Sequence, residues 1–244
     1  MTAARLRIGT NQYLHTLGVI TGAVKVAGIE PEVTVTATID ECTLRMLKGD
    51  FDVGEMSLAT FIKVRESRAD FIGLPVFSKK LVSQYAFCRA DDTLDGHASL
   101  LGRRIAVPQF WVTAAIWHRW YLSDVCGVAA DAVTWCPLAK DRIEGMPYPE
   151  RFRFDWSLEG EKPVAAVAGG KADCFVFARR PEKIPGLRYL AHKPVETTLD
   201  LVRRTGIVPV THVTAIRADR FEREPWLAEA LLDLFSQSLA WGAE

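Results

Sequence analysis

The chain has 244 residues, 49% of them hydrophobic and 25% charged, enough to bury a sizeable core in one large domain or two lobes. Thirty Lys and Arg balance thirty Asp and Glu, which excludes an overall electrostatic draw toward nucleic acid or an anionic membrane and leaves selectivity to a local pocket. Five scattered cysteines without a C-x-x-C pair argue against a disulfide framework and a zinc site. The N-terminus lacks a secretory apolar region and no apolar run reaches membrane-spanning length, so a cytoplasmic protein is expected.

Residues 5–10 read as a strand entering a loop at 11–15, and 16–27 as a helix closed by Gly28. A β-branched strand follows at 33–38, a helix at 41–48 stopped by Gly49, and a short strand at 51–54 running into Glu55, Met56 and Ser57. Ser57 is expected to cap a helix at 58–65, and 71–76 is again a strand. A second series begins with a strand at 85–89 and continues through a strand at 105–107, a helix at 113–122 and a strand at 133–136. A helix around 164–167 and a strand at 174–177 complete it. Residues 204–217 return as loop and strand, and 225–241 form an amphipathic helix. Alternating β and α units with short connections predict α/β architecture with mostly parallel sheets flanked by helices.

The most informative corner is 102–117. The apolar run 105–107 reads as a buried strand ended by Pro108, and Thr113 as the cap of the next helix. Free backbone N–H groups at a helix start, with the helix dipole, suit a carboxylate, and here Gln109, Phe110 and Trp111 overhang them. The competing reading is an ordinary α/β corner with core aromatics.

Three stretches, Asp52 to Thr60, Arg104 to Trp117 and Thr205 to Arg217, resemble in order and spacing the 4,5-dihydroxyphthalate decarboxylases, enzymes of the type II periplasmic binding protein fold. The resemblance runs over nearly the whole chain. It implies two α/β lobes joined by two crossovers with the ligand in the cleft between them: residues 1–82 and 200–244 form lobe one, and 83–199 lobe two. The crossings are expected near 80–88 and 192–204. Where the family follows Pro-Val-Phe with an arginine- and histidine-containing run, this chain has Ser78, Lys79 and Lys80, and the second arginine and the histidine are absent.

On that resemblance His212 lies beside the cleft, as a proton donor or a satisfied structural histidine, and Glu55 meets ligand or favours a helix dipole. Ser57 and Thr113 are expected both to cap helices and to donate to ligand. Asn11 and His15 occupy the first βα loop, where a turn role for Asn11 is equally open. Gln109 and Trp111 overhang the carboxylate position. Trp117, six residues on, does not share a face with Trp111 and reads as core. Arg179 is a guanidinium source for an acidic substrate or a solvated surface residue.

The implied activity is that of a cytoplasmic decarboxylase of a small hydroxylated aromatic acid, with no organic cofactor and no metal. A small carboxylate is the expected partner, without nucleic acid or membrane, and a homo-oligomer is possible on this reading. The same fold also serves non-catalytic solute-binding proteins of transporters and other cytoplasmic enzymes, so fold alone does not decide.

Overall fold

The computed structural model describes residues 3–79, 86–176 and 184–243. In chain order the first elements are β1 (Ala4–Thr10), α1 (Leu14–Ile20), β2 (Ile29–Val35), α2 (Ile39–Lys48), β3 (Val53–Ser57), α3 (Leu58–Ser67) and β4 (Phe71–Lys79). Then come β5 (Ala86–Arg89), β6 (Arg104–Val107), α4 (Thr113–Trp120), β7 (Thr134–Pro137), β8 (Arg153–Phe154), α5 (Pro163–Ala168), β9 (Cys174–Val176), β10 (Leu187–Tyr189) and α6 (Pro194–Thr205). The chain closes with β11 (Val210–Arg217), α7 (Ala218–Arg223) and α8 (Leu227–Ala243). It divides into two compact units: residues 1–78 with 210–244, and residues 79–209.

The first unit is built on a sheet of order β2-β1-β3-β11-β4. β1 runs parallel to β2 and β3, whereas β11 returns antiparallel to β3. Alternation along the strands sends Leu6, Ile8, Val53, Leu74 and Ile216 to one face, where they meet Val19, Leu231, Leu234 and Phe235 of α1 and α8. On β3 the intervening Gly54 admits α2 closely, since a Cβ there would stand 2.7 Å from the Met46 sulfur.

The second unit has a sheet of order β10-β5-β9-β6-β7-β8, with both faces covered. Ile105, Val107, Trp135 and Cys174 pack in one apolar cluster, and Ala106, Cys136 and Phe175 in another. That two-sided burial explains why β6 reads as a continuous apolar run.

Several boundaries differ from the sequence reading for identifiable reasons. The helix expected at 16–27 stops at Ile20: Gly22 takes φ 70°, and the turn drops Val24 into the core. β2 begins at Ile29, not 33, because its whole length pairs with β1 from Ala4↔Ile29 to Thr10↔Val35. Pro31 is tolerated because β2 is an edge strand. The segment expected to cross between lobes at 192–204 contains α6, which starts on Pro194 and ends at Gly206 with φ 69°. This helix belongs to the second unit, so the return passage falls at 209/210 and residues 200–209 leave the lobe assigned to them.

Candidate functional site

On the core face of the first unit, apolar side chains give way to polar ones toward the carboxyl ends of β1 and β3. By the two-residue period Ile8 is followed by Thr10, and Val53 by Glu55 and Ser57. On β4 Val76 is followed by Ser78, and on antiparallel β11 Ile216 is preceded by Thr214 and His212. The register sets Glu55 opposite Thr214 and Ser57 opposite His212, so all four share one face, with Glu55 and His212 as diagonal neighbours. Polar groups beyond the carboxyl ends of parallel strands are the usual ligand-facing end of an α/β sheet.

The diagonal pair is joined. His212 Nδ1 lies 2.8 Å from Glu55 Oε1, and both side chains are buried, 7% and 3% exposed. Ser78 Oγ donates to the same Oε1 at 2.7 Å, and the Ser78 carbonyl accepts from Thr211 Oγ1 at 3.1 Å. Glu55 Oε2 is buried with no hydrogen-bond partner among the described residues. An ionised Glu55 only accepts, so its contact puts the proton of a neutral His212 on Nδ1 and leaves Nε2 to exchange a proton elsewhere. Glu55 therefore sits within β3 rather than after it. The sequence reading ended that strand too early because the partner holding residues 55–57 in it, β11, is supplied from far along the chain.

His15, on the first turn of α1, is half-buried, its ring stacked on Tyr13 at 5.5 Å and tilted against Phe235 at 6.4 Å. Burial holds its imidazole below the usual range, while the negative charge of Glu55 pulls the other way. Asn11 donates from Nδ2 to the Thr36 carbonyl at 2.8 Å, and its Oδ1 is buried without a partner among the described residues. Cys42, buried on α2, has its thiol pushed up to about 12, by burial first and then by the Glu55 charge, and so stays unreactive. Ser57 stands at the cap position of α3, but its side chain makes no capping bond; its backbone N–H donates to Thr43 Oγ1 at 3.0 Å.

In the second unit, the cap position of α4 is taken by Val112, and Thr113 is the first helical residue, buried at 5% exposure. The capping role expected of Thr113 is thus displaced by one residue, since the backbone turns helical at Thr113 itself. Part of the corner is already served by the chain: the Trp111 backbone N–H donates to Asp141 Oδ1 at 2.8 Å and its indole N–H to the Pro147 carbonyl at 3.2 Å. Tyr148 donates to the other Asp141 oxygen at 2.8 Å. Trp111 is therefore tied to the 141–148 segment. Gln109 is half-buried, and its Oε1 lacks a partner among the described residues.

Behind this corner Arg119 is buried over the Phe110 ring, 3.9 Å from its centroid, and donates to the Phe110 carbonyl at 2.7 Å. Burial lowers it to about 9, with Asp141 opposing, so it stays a cation at neutral pH. Trp117 is half-buried, edge-on to Trp120 at 5.5 Å.

The structure brings Glu55, Ser57 and His212 together in the first unit and puts His15 within electrostatic reach of Glu55. Gln109, Trp111 and Thr113 belong to one corner of the second unit. Arg179 lies outside the described residues, as do Lys80 and Gln84. No group of three or more His, Cys, Asp or Glu is set for a metal ion among the described residues. Ser78 escaped the sequence reading; the signal was the alternation that carries β4 through Leu74 and Val76 to a polar residue on the same face.

No family model matches the chain. It is 28% identical over 253 aligned residues to a 4,5-dihydroxyphthalate decarboxylase of Comamonas testosteroni, spanning 98% of this chain and 76% of that protein. A 4,5-dihydroxyphthalate decarboxylase of Pseudomonas putida is 26% identical over 215, spanning 83% of each. Among solved structures it is similar to the periplasmic aliphatic sulphonate binding protein SsuA of Escherichia coli, at TM-score 0.61 and 14% identity over 98% of this chain and 74% of that one. The alkanesulfonate-binding protein SsuA of Xanthomonas axonopodis pv. citri gives TM-score 0.60 and 12% identity with the same coverage. The chain has a type II periplasmic-binding-protein-like fold and resembles the 4,5-dihydroxyphthalate decarboxylases in sequence along most of its length.

Proposed function

We propose that this protein is a carboxy-lyase that removes carbon dioxide from a small hydroxylated aromatic acid of the phthalate type. The sequence similarity to decarboxylases supports the reaction class. The observation that carries the chemistry is the buried Glu55–His212 hydrogen bond, with Glu55 Oε2 left without a partner among the described residues.

Breaking a bond from an aromatic carbon to a carboxylate leaves an electron pair on the ring, and a hydroxyl ortho or para to that carbon lets the ring receive it. A protonated His212 delivers the Nε2 proton to the carboxylated carbon while the phenol proton passes to Glu55 Oε2, giving a keto tautomer. The carbon–carbon bond then breaks, carbon dioxide departs, and the bonding pair restores the aromatic ring as the oxygen regains its proton. A proton from solvent resets His212. Net, one C–H bond replaces one C–carboxylate bond.

An unpaired buried acceptor costs about 1–3 kcal/mol, which a substrate hydroxyl on Oε2 would offset. The reading is of a cytoplasmic enzyme, supported by the free thiols of Cys42, Cys88, Cys126, Cys136 and Cys174.

The test incubates the purified protein with 4,5-dihydroxyphthalate and follows carbon dioxide release beside calorimetric binding. His212→Ala is expected to lower kcat about 100- to 10,000-fold with affinity little changed, since a proton donor acts mainly in the transition state. Wild-type protein that binds the acid and releases no carbon dioxide overturns the reading in favour of a solute-binding protein.

A further inference from the structure

We infer that Ser78 is a positioning residue that decides which carboxylate oxygen of Glu55 is left for a substrate hydroxyl; the inference rests on the decarboxylase reading above. The strand order β3-β11-β4 puts Ser78 and Glu55 on strands that do not neighbour each other. Their 2.7 Å hydrogen bond therefore spans β11, where His212 stands. Both donors that reach Glu55 among the described residues, the Ser78 hydroxyl and His212 Nδ1, converge on Oε1.

A carboxylate held by His212 alone could pivot about that contact and exchange its two oxygens. A second donor on the same oxygen, reaching it from β4 across β11, removes this freedom and leaves Oε2 without a hydrogen-bond partner among the described residues. Ser78 is itself pinned. It is 8% exposed, and its carbonyl accepts from Thr211, the residue before His212. The ring Ser78–Glu55–His212–Thr211 thus closes through side chains and one step of backbone, which ties the backbone position of Ser78 to that of the histidine.

Hydrogen bonds to charged groups in buried settings place the effect of losing this one at about 10- to 100-fold in rate. Ser78→Ala is expected to lower kcat by that factor while KM for 4,5-dihydroxyphthalate stays within about threefold, because orientation of the proton-transfer groups is lost rather than the substrate's hold. In ligand-free protein the imidazole signals of His212, followed by 15N and 1H NMR, are expected to shift in Ser78→Ala and return in Ser78→Thr, which keeps the hydroxyl. The same Thr variant should recover the rate.

Unmoved His212 signals in Ser78→Ala, or a rate loss that Ser78→Thr does not recover, overturn the inference. If the wild-type protein does not turn the acid over, the functional reading fails. The NMR comparison then still decides whether Ser78 orders the pair, a shifted signal restored by threonine retaining that role and an unmoved one ending it.

Discussion

Glu55 and His212 stand 157 positions apart, and each reads in the sequence as a polar residue near a strand end; only the antiparallel return of β11 makes them neighbours. A different pair of histidines has the opposite character. His97 and His118, ring centroids 5.2 Å apart, are buried in the second unit, and His97 Nε2 and both His118 nitrogens lack partners among the described residues. Burial lowers His97 to about 4 and holds His118 well below its usual range, His97 and Arg119 adding to the effect on His118. In the unfolded chain both titrate near 6.5. Between about pH 6.5 and 4 the unfolded state therefore binds more protons, and stability falls as the pH drops through that window. We expect His118→Leu to shrink the difference in Tm between pH 7 and pH 5 relative to wild type; an unchanged difference would show that the buried pair is not the cause. Neither histidine was singled out from sequence, because nothing in the spacing of 97 and 118 signals that a short turn and α4 bury them against each other. Glu55 and Ser57 are legible from their placement at element ends and His212 from the family resemblance, whereas Ser78 depends on sheet order, which local pattern does not encode.

Elements with strong punctuation were the readable ones. α2 is capped by Thr38, whose hydroxyl accepts from the Glu41 N–H at 3.1 Å, and stops at Gly49 with φ 83°, the stop the sequence gives it. α6 carries equally plain signals in Pro194, Glu196 and Gly206, but the lobe crossing that the resemblance implies at 192–204 overlies them. The antiparallel members β5, β10 and β11 were the harder matter: a lone strand's pattern says which residues are buried and not which way its neighbour runs. At α4 the aromatic corner is anchored from within the helix by Arg119, whose planar guanidinium both stacks on Phe110 and donates to its carbonyl. Arg119→Lys keeps the charge and loses the plane. We expect a destabilisation of about 2 kcal/mol, read as a drop in Tm together with a change in the emission of Trp111, which packs edge-on against Phe110 at 5.0 Å. A Lys variant as stable as wild type would mean that charge alone suffices at this position.

At the scale of the molecule, the second unit is a continuous span, 79–209, with its own two apolar clusters, whereas the first is made of two pieces. The consequence is asymmetric. Residues 79–209 expressed alone should give a cooperative thermal transition and a dispersed NMR spectrum. Residues 1–78 alone should give neither, because β11 lies between β3 and β4 and supplies the pairing edge of both. A non-cooperative 79–209 fragment would mean that its clusters need the first unit to form.

The discontinuous first unit also sets a timetable for synthesis. At about 5–20 residues per second, His212 leaves the ribosome on the order of 8 to 30 s after Glu55. During that interval the nascent first piece carries open strand edges, a hazard for pairing with other chains, and the intervening unit is itself complete only at residue 209, just before β11. The strand that finally fills the gap is also the one that brings the imidazole. Completion of the sheet and formation of the Glu55–His212 hydrogen bond are thus a single late event, and a chain halted before residue 210 has the carboxylate without its partner.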